Sequence, residues 1–417
     1  MTNRPRPVLV LLASWLGILV MTGCVPQRLR EFRKTFSKTL VSAPHNVHVA
    51  EWRVTQEDFP NLGDAPWSIE KRTLRGGVQD GVDLIEVDNG RLRFTVIPSR
   101  GMSIGVVRCG DVRLGWDSPV QHVVHPRHVD LQDHGGLGWL AGFNEWMVRC
   151  GVSFAGHPGE DGERLLTLHG RIGNIPAAEV QVRVDASPPH RIRVRGLVQE
   201  RIFKFANFDL WTEISTVPGS NVFRIEDRLV NTSSYEREYQ VIYHANFGRP
   251  LLEAGAKFVA PVQRVYPFDE YAAKDLKTWK TYLGPTRDYG EQVYCVEPFA
   301  DANGRTQVML HNKAGDRGVA VRYEVAGLPY FTLWKNTDTE ADGYVTGLEP
   351  GTGYPYNRAV EREAGRVRKL AAGGEQQFSL EYEVLLDGAS VQASHARIAK
   401  IRKGRKPAVV AQPPKKD

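Results

Sequence analysis

The chain has 417 residues, 41% hydrophobic, 24% charged and 9% aromatic, a balance that fits a folded body and excludes a mainly disordered or collagen-like chain. Its formal charge of +6 is unevenly spread: residues 1–23 carry +2 and residues 397–417 carry +7, which leaves −3 on residues 24–396. A mildly acidic body on basic ends is a poor polyanion binder, so the composition argues against a nucleic-acid partner.

At the N-terminus, Arg4 and Arg6 precede an apolar-rich run from Val8 to Val20. Thirteen residues are too few for a permanent spanning helix, which needs about 20, but they have the layout of an export signal. Met21-Thr22-Gly23-Cys24 then resembles a bacterial lipobox, which predicts cleavage after residue 23 and acylation of Cys24. Residues 1–23 are thus read as a lipoprotein-type signal peptide and residues 24–50 as a basic tether, carrying Arg28, Arg30, Arg33, Lys34 and Lys38 to rest on anionic head groups. The expected location is the cell envelope, with the protein anchored by lipid and facing the periplasm. With Cys24 used in this way, Cys109, Cys150 and Cys295 permit at most one disulfide, and the absence of a CxxC pair removes common zinc ribbons and thioredoxin-type sites.

From Glu51 to Leu386 the apolar residues recur with period two. Leu92, Phe94 and Val96 share one face; so do Ile192 and Val194, then Phe223, Ile225 and Leu229, then Phe378, Leu380, Tyr382 and Val384. Alternation of this kind predicts half-buried strands, and 40 Gly with 25 Pro supply dense turn punctuation. Short helices are expected only over 269–280 and 392–403. The fold class is all-β, with residues 51–390 as a single domain and residues 391–417, rich in Lys, Arg and Pro, as a disordered tail.

Four segments concentrate polar groups between Gly and aromatic residues: Pro98-Ser-Arg-Gly-Met-Ser, Leu168-His-Gly-Arg, Tyr243-His-Ala-Asn-Phe-Gly, and Leu333-Trp-Lys through Gly347-Leu-Glu-Pro. The order His, His, Glu on successive strand-rich segments supplies an acid/base set that suits proton transfer between oxygens, because imidazole titrates near neutrality and a desolvated carboxyl is brought towards it. The alternative at each position is structural: a satisfied histidine beside a strand, a turn glutamate. His122, His125 and His128 lie around Pro126 without metal-finger spacing and read as a loop.

Over roughly residues 80–386 these segments, with Phe223-Arg-Ile-Glu-Asp-Arg-Leu-Val-Asn, are similar in order and spacing to the galactose mutarotase superfamily, in its aldose 1-epimerase-like branch. The resemblance implies a β-supersandwich, two large antiparallel sheets packed face to face with a sugar-sized groove. It also implies roles: His244 as the acid that protonates the ring oxygen, Glu349 as the base at the anomeric hydroxyl, and His169, Arg171 and Arg100 on substrate hydroxyls. Asn246, Trp334 and Lys335 would complete the sugar contacts, with Trp116 and Trp146 as further aromatic floor. Neither metal nor cofactor is called for.

The chain departs from the family pattern at Ala245-Asn246-Phe247-Gly248, where Tyr-Phe-Asn-Leu is usual. Lys335 directly after Trp334 is either a contact for an acidic or phosphorylated sugar or a solvated strand-end lysine. Two rival readings keep the groove: a divalent metal held by His169, His244 and Glu349 in an isomerase, epimerase or lyase, and a noncatalytic carbohydrate-binding lipoprotein.

Overall fold

The structure is a computed structural model that describes residues 35–59 and 64–414; Cys24, the apolar run before it and most of the expected tether lie outside these residues. The alternating segments fold as two large sheets. One has ten strands, with Lys257–Val259 at one end and the strand pair Phe36–Ser42 and Val47–His48 at the other. The second has a fourteen-strand set that runs from Ala408–Val409 at one edge to Trp52–Thr55 at the other. They pack into a β-supersandwich, with few and short helices among the described residues. Between the sheets, Phe94, Ile225, Phe223, Tyr382 and Leu380 belong to one continuous apolar core.

A buried ion pair crosses this core. Arg149 on the strand Met147–Val152 of the larger sheet donates to Asp227 on the strand Val222–Asn231 of the smaller, at 2.5 Å from Nε and 3.0 Å from Nη2. The Thr212 hydroxyl accepts from the same guanidinium at 2.6 Å, Met102 O accepts at 3.0 Å, and the Tyr243 hydroxyl donates to Asp227 at 2.8 Å. Both carboxylate oxygens and all three guanidinium nitrogens are thereby hydrogen-bonded, which is the condition under which two charges survive inside a protein.

Two expected boundaries move. The segment read as tether becomes strand at Phe36, because Leu40 packs into the core and Val41 sits against it while Phe36–Ser42 pairs with Glu179–Val184. The short helix expected over 392–403 is present and begins earlier, as Gly388–Arg402, whereas the disordered tail read over 391–417 is corrected by this helix and by the short strand Ala408–Val409 that follows it and pairs in parallel with Val262–Pro267. Asp387 caps the helix by accepting from Ser390 N at 2.7 Å, and Val391, Ser394, Ile398 and Ile401 form its buried stripe. The helix expected over 269–280 is reduced to Glu270–Ala273 with turns beyond it. Cys109, Cys150 and Cys295 are buried free thiols.

Removing one partner of the inter-sheet pair strands a buried charge. Asp227→Ala is therefore expected to cost about 3–5 kcal/mol in urea unfolding, whereas Arg149→Met with Asp227→Leu should cost less than the single change. A single change within experimental error of wild type would show that the pair does not hold the sheets.

Candidate active site

The outer face of the larger sheet carries the polar residues, and strand alternation decides which ones. On Arg237–Phe247, Tyr239, Val241, Tyr243, Ala245 and Phe247 face the core between the sheets, so Ile242, His244 and Asn246 face outward. The next strand, Tyr344–Gly351, pairs with it in the register Ala245↔Leu348 and Asn246↔Gly347, which puts Glu349 on the same outer face as His244. Gly347 makes the approach possible: a Cβ there would stand 2.2 Å from Glu349 Oε1. The third strand, Tyr330–Thr337, aligns Thr332 with Glu349 and Trp334 with Gly347.

His244 Nε2 lies 3.3 Å from Glu349 Oε1, and both side chains are almost wholly buried. The other ring nitrogen is fixed. Asn246 Nδ2 donates to Glu145 O at 3.1 Å and to His244 O at 3.3 Å, which leaves Asn246 Oδ1 to accept from His244 Nδ1 at 2.7 Å. The proton thus sits on Nδ1, and the Nε2 lone pair faces the carboxyl. Glu145 is held in turn by Arg100, whose Nε donates to Oε1 at 2.9 Å.

Burial drives both partners towards their uncharged forms. It lowers the His244 imidazole to about 4, against a smaller upward pull from the Asn246 hydrogen bond. It raises the Glu349 carboxyl well above the usual carboxylate range, and nearby Glu291 adds repulsion in the same direction. His169 is pushed well below the ordinary imidazole value by burial and then by its neighbours His244 and His157.

A cap of Trp139, Phe143 and Leu168 closes over the face, and the His169 and His244 rings meet edge to face with centroids 5.3 Å apart. Beneath the cap is a cavity of about 220 Å³ lined by these groups and by Glu291, Thr332, Trp334 and Glu349. Drug-sized ligands fill roughly 300–1,000 Å³, so this space suits one small ring. Four buried polar atoms of its lining have no hydrogen-bond partner: Trp139 Nε1, His169 Nδ1, Thr332 Oγ1 and Glu349 Oε1. Unsatisfied buried donors and acceptors are costly, and four of them cluster in the residues around this one cavity.

Of the residues singled out in the sequence, His169, His244, Glu349 and Trp334 line the cavity. Asn246 acts behind His244 rather than in the cavity. Arg100 does not reach it: its guanidinium is fully buried and spent on Glu145, Gly142 O and Asn174. Arg171 is half-buried and lies outside the lining. Lys335 is a correction imposed by alternation. As Trp334 points outward, Lys335 points the other way, donating from Nζ to Thr281 O at 2.9 Å beside the Tyr282 and Tyr294 rings. Trp146 is likewise in the inter-sheet core and Trp116 donates to Glu145 O, so neither floors the cavity. The alternative metal set is not assembled, since no group of three His, Cys, Asp or Glu side chains converges as metal ligands among the described residues.

Sequence reading missed Trp139, Phe143, His157, Glu291 and Thr332. Trp139 and Phe143 come from the cap, whose period-free sequence carries no strand signal. Glu291 ends a loop, where its carboxylate accepts from Trp334 Nε1 at 2.8 Å.

Residues 79–384 match the model of a family described as a domain of unknown function, DUF4432. The crystal structure of a candidate aldose 1-epimerase from Klebsiella pneumoniae is 44% identical, with a TM-score of 0.90 over 92% of this chain and 100% of that one. A galactose mutarotase-like protein from Clostridium acetobutylicum shares the fold at 13% identity, TM-score 0.50, over 80% of this chain and 98% of that one. A galactose 1-epimerase from Lactobacillus acidophilus does so at 12% identity, TM-score 0.50, over 77% and 99%. A search of curated proteins finds no match.

The raised Glu349 value has a thermodynamic consequence. The folded chain keeps this proton at a pH where the unfolded chain has lost it, so the associated stability is full below about pH 4.3 and is lost as pH rises towards the folded value. Glu349→Gln should remove that loss. The variant is expected to gain on wild type between pH 5 and pH 8, by up to about 1.4 kcal/mol per pH unit in urea unfolding, and parallel curves would contradict the protonated carboxyl.

Proposed function

We propose that this chain, which belongs to the DUF4432 family in the aldose 1-epimerase-like branch of the galactose mutarotase-like superfamily, interconverts the anomers of a monosaccharide by acid/base catalysis at His244 and Glu349. The observation that carries the reading is the buried imidazole–carboxyl contact of 3.3 Å at the wall of a cavity of one-ring size.

The pair holds one proton. In its uncharged form that proton is on Glu349 and the His244 Nε2 lone pair is free. A pyranose placed between them, with its anomeric hydroxyl on Glu349 and its ring oxygen towards Nε2, favours the charged form, because each charge then receives a hydrogen bond in place of empty low-dielectric space. Glu349 as carboxylate takes the proton from O1 while the His244 imidazolium protonates O5, and the C1–O5 bond breaks. The pair is now uncharged again, which matches the state that desolvation favours, and the open-chain aldehyde rotates about C1–C2. For closure, Glu349 returns its proton to O1 as His244 removes the one on O5. Asn246 keeps the imidazole in the tautomer that makes Nε2 the reacting atom. Trp139, Phe143 and Trp334 exclude water and offer ring faces to sugar C–H groups.

We also propose, from the signal-like run and the lipobox-like Met21-Thr-Gly-Cys24, that the chain is exported and carried on the envelope by a lipid on Cys24. That reading stands apart from the chemistry. Mass spectrometry of the mature N-terminus should find a diacyl or triacyl Cys24, and an unmodified terminus would remove it.

For the chemistry, saturation-transfer NMR over a panel of neutral aldoses measures anomer exchange directly. Glu349→Gln and His244→Ala are each expected to lower the exchange rate by about 10²–10⁴-fold, with sugar binding by Glu349→Gln retained. Unchanged exchange in Glu349→Gln, beside intact binding, would favour a carbohydrate-binding role without turnover. Because the working pair carries a single proton, kcat/KM should hold through the ordinary imidazole range and fall on the acid side only as pH drops through about 4, where His244 gains a second proton for the pair. An acid limb near pH 6.5 would contradict this assignment.

A further inference from the structure

The basic C-terminal segment is folded, and this changes what its charge means. The helix Gly388–Arg402 docks on the strand Arg305–His311 through the Gln307 Nε2–Ser394 Oγ hydrogen bond at 2.7 Å. Its end, with the strand Ala408–Val409 that follows, closes one side of a cavity of about 700 Å³ at the edge of the sandwich, which shares no lining residue with the cavity at His244 and Glu349. The end strand of the smaller sheet, Lys257–Val259, forms another side, and the loop after Glu270–Ala273 a third.

The lining has two characters. Lys257, Lys277, Lys280 and Arg402 contribute four exposed cations, and no acidic residue lines the cavity. None of the four has an ion-pair partner among the described residues, although the chain outside its two ends is net acidic. Between them lie the half-buried Val259, Ala260 and Leu276 and the exposed Pro407 and Val409, an apolar wall backed by the buried Phe258, Val265 and Trp279. Positive potential reaches the neighbouring histidines as well. His311 and His395, with ring centroids 5.1 Å apart, are both lowered from the ordinary imidazole value, chiefly by burial; Lys257 adds repulsion at His395, and at His311 it adds the smallest part, after an opposing hydrogen bond to Asn312 O and repulsion from His395.

We propose that this cavity binds an anionic amphiphile, its phosphate or carboxylate head against Lys277, Lys280 and Arg402 and its apolar chain along the wall of Leu276, Pro407 and Val409. Unneutralised cations around one concavity repel each other and gain by sharing an anion, and the apolar wall stays wet unless a chain covers it. Inorganic phosphate satisfies only the cations and an uncharged alcohol only the wall, so the two halves of the lining call for one ligand that has both. The chemistry fits a membrane lipid and a free single-chain acid alike.

Calorimetric titration of the full chain with octyl phosphate, inorganic phosphate and 1-octanol tests this. Octyl phosphate is expected to bind saturably, about tenfold or more tighter than either half-ligand, and to weaken about tenfold in Lys277→Glu with Lys280→Glu. Both lysines are exposed, and raising the salt from about 50 to about 500 mM gives the same test without a substitution, through screening. Equal binding of octyl phosphate and phosphate, or binding untouched by charge reversal and salt, would overturn the proposal. Sedimentation with phosphatidylglycerol vesicles then separates the sources. Weaker pelleting of the double variant than of wild type assigns a membrane lipid, and equal pelleting beside octyl phosphate binding assigns a free amphiphile.

Discussion

The register of one strand decides what this protein has to work with. Along Arg237–Phe247 the side chains alternate between the two faces, so Tyr243 enters the core and His244 the capped cavity. A slip by a single residue would bury the imidazole against Asp227 and expose the phenol, exchanging every neighbour on both faces. The Arg149–Asp227 pair stands against that slip, because Tyr243 donates to Asp227 and Arg149 lies directly opposite it in the ladder. The charge network between the sheets and the acid/base contact outside them are therefore two consequences of the same pairing.

Once the register is set, desolvation is what prepares His244 and Glu349 for the proposed chemistry. In water a carboxyl is ionised near pH 7 while an imidazole divides between its two forms, so the carboxyl would rarely hold the shared proton. Here burial under Trp139 and Phe143 penalises both charges, so the charged and uncharged forms of the pair are drawn closer in energy. A proton shuttle needs such near balance, since it must run in both directions within one turnover. The expense is visible in the same place: Trp139 Nε1, His169 Nδ1, Thr332 Oγ1 and Glu349 Oε1 are all buried without partners.

Much of the fold was legible because half-buried strands advertise themselves by period two, and both sheets follow the alternation read at Leu92–Ile97, Val222–Asn231 and Glu375–Leu385. Period two also contained the correction for Lys335, since adjacent residues on a strand cannot both face one groove; Trp334 and Lys335 were nevertheless read together as contacts. Arg100 shows a different limit. Its sequence neighbourhood marks a polar turn, but the partner that removes it from the cavity, Glu145, is 45 positions away and carries no local signal. The cap was illegible for the same reason, as Trp139 and Phe143 sit in short turns whose positions follow from packing on the sheet, not from any periodicity.

The C-terminal segment is a mixed case, where the sequence supports a short helix over 392–403 while composition assigns the same stretch to a disordered tail. Asp387 and Ser390 make a capping box, and Val391, Ser394, Ile398 and Ile401 are spaced as one helical face, yet Lys and Arg at six of the positions from 397 to 406 read as a solvated tail. The stripe is weak in apolar terms because one of its four members is a serine, and Ser394 docks by hydrogen bonding to Gln307 instead of by burying a hydrocarbon. Hydropathy cannot register such a contact. Long basic side chains do not oppose docking either, for they extend past the buried stripe with their charged ends in water. Folding the segment converts a charge count into a geometry: the same cations that on a mobile tail would average over all directions are held at the edge of the sandwich, beside lysines contributed by residues more than a hundred positions earlier. Net charge by region therefore constrains partners only after the region's structure is known, and an acidic body average is compatible with a strongly cationic face.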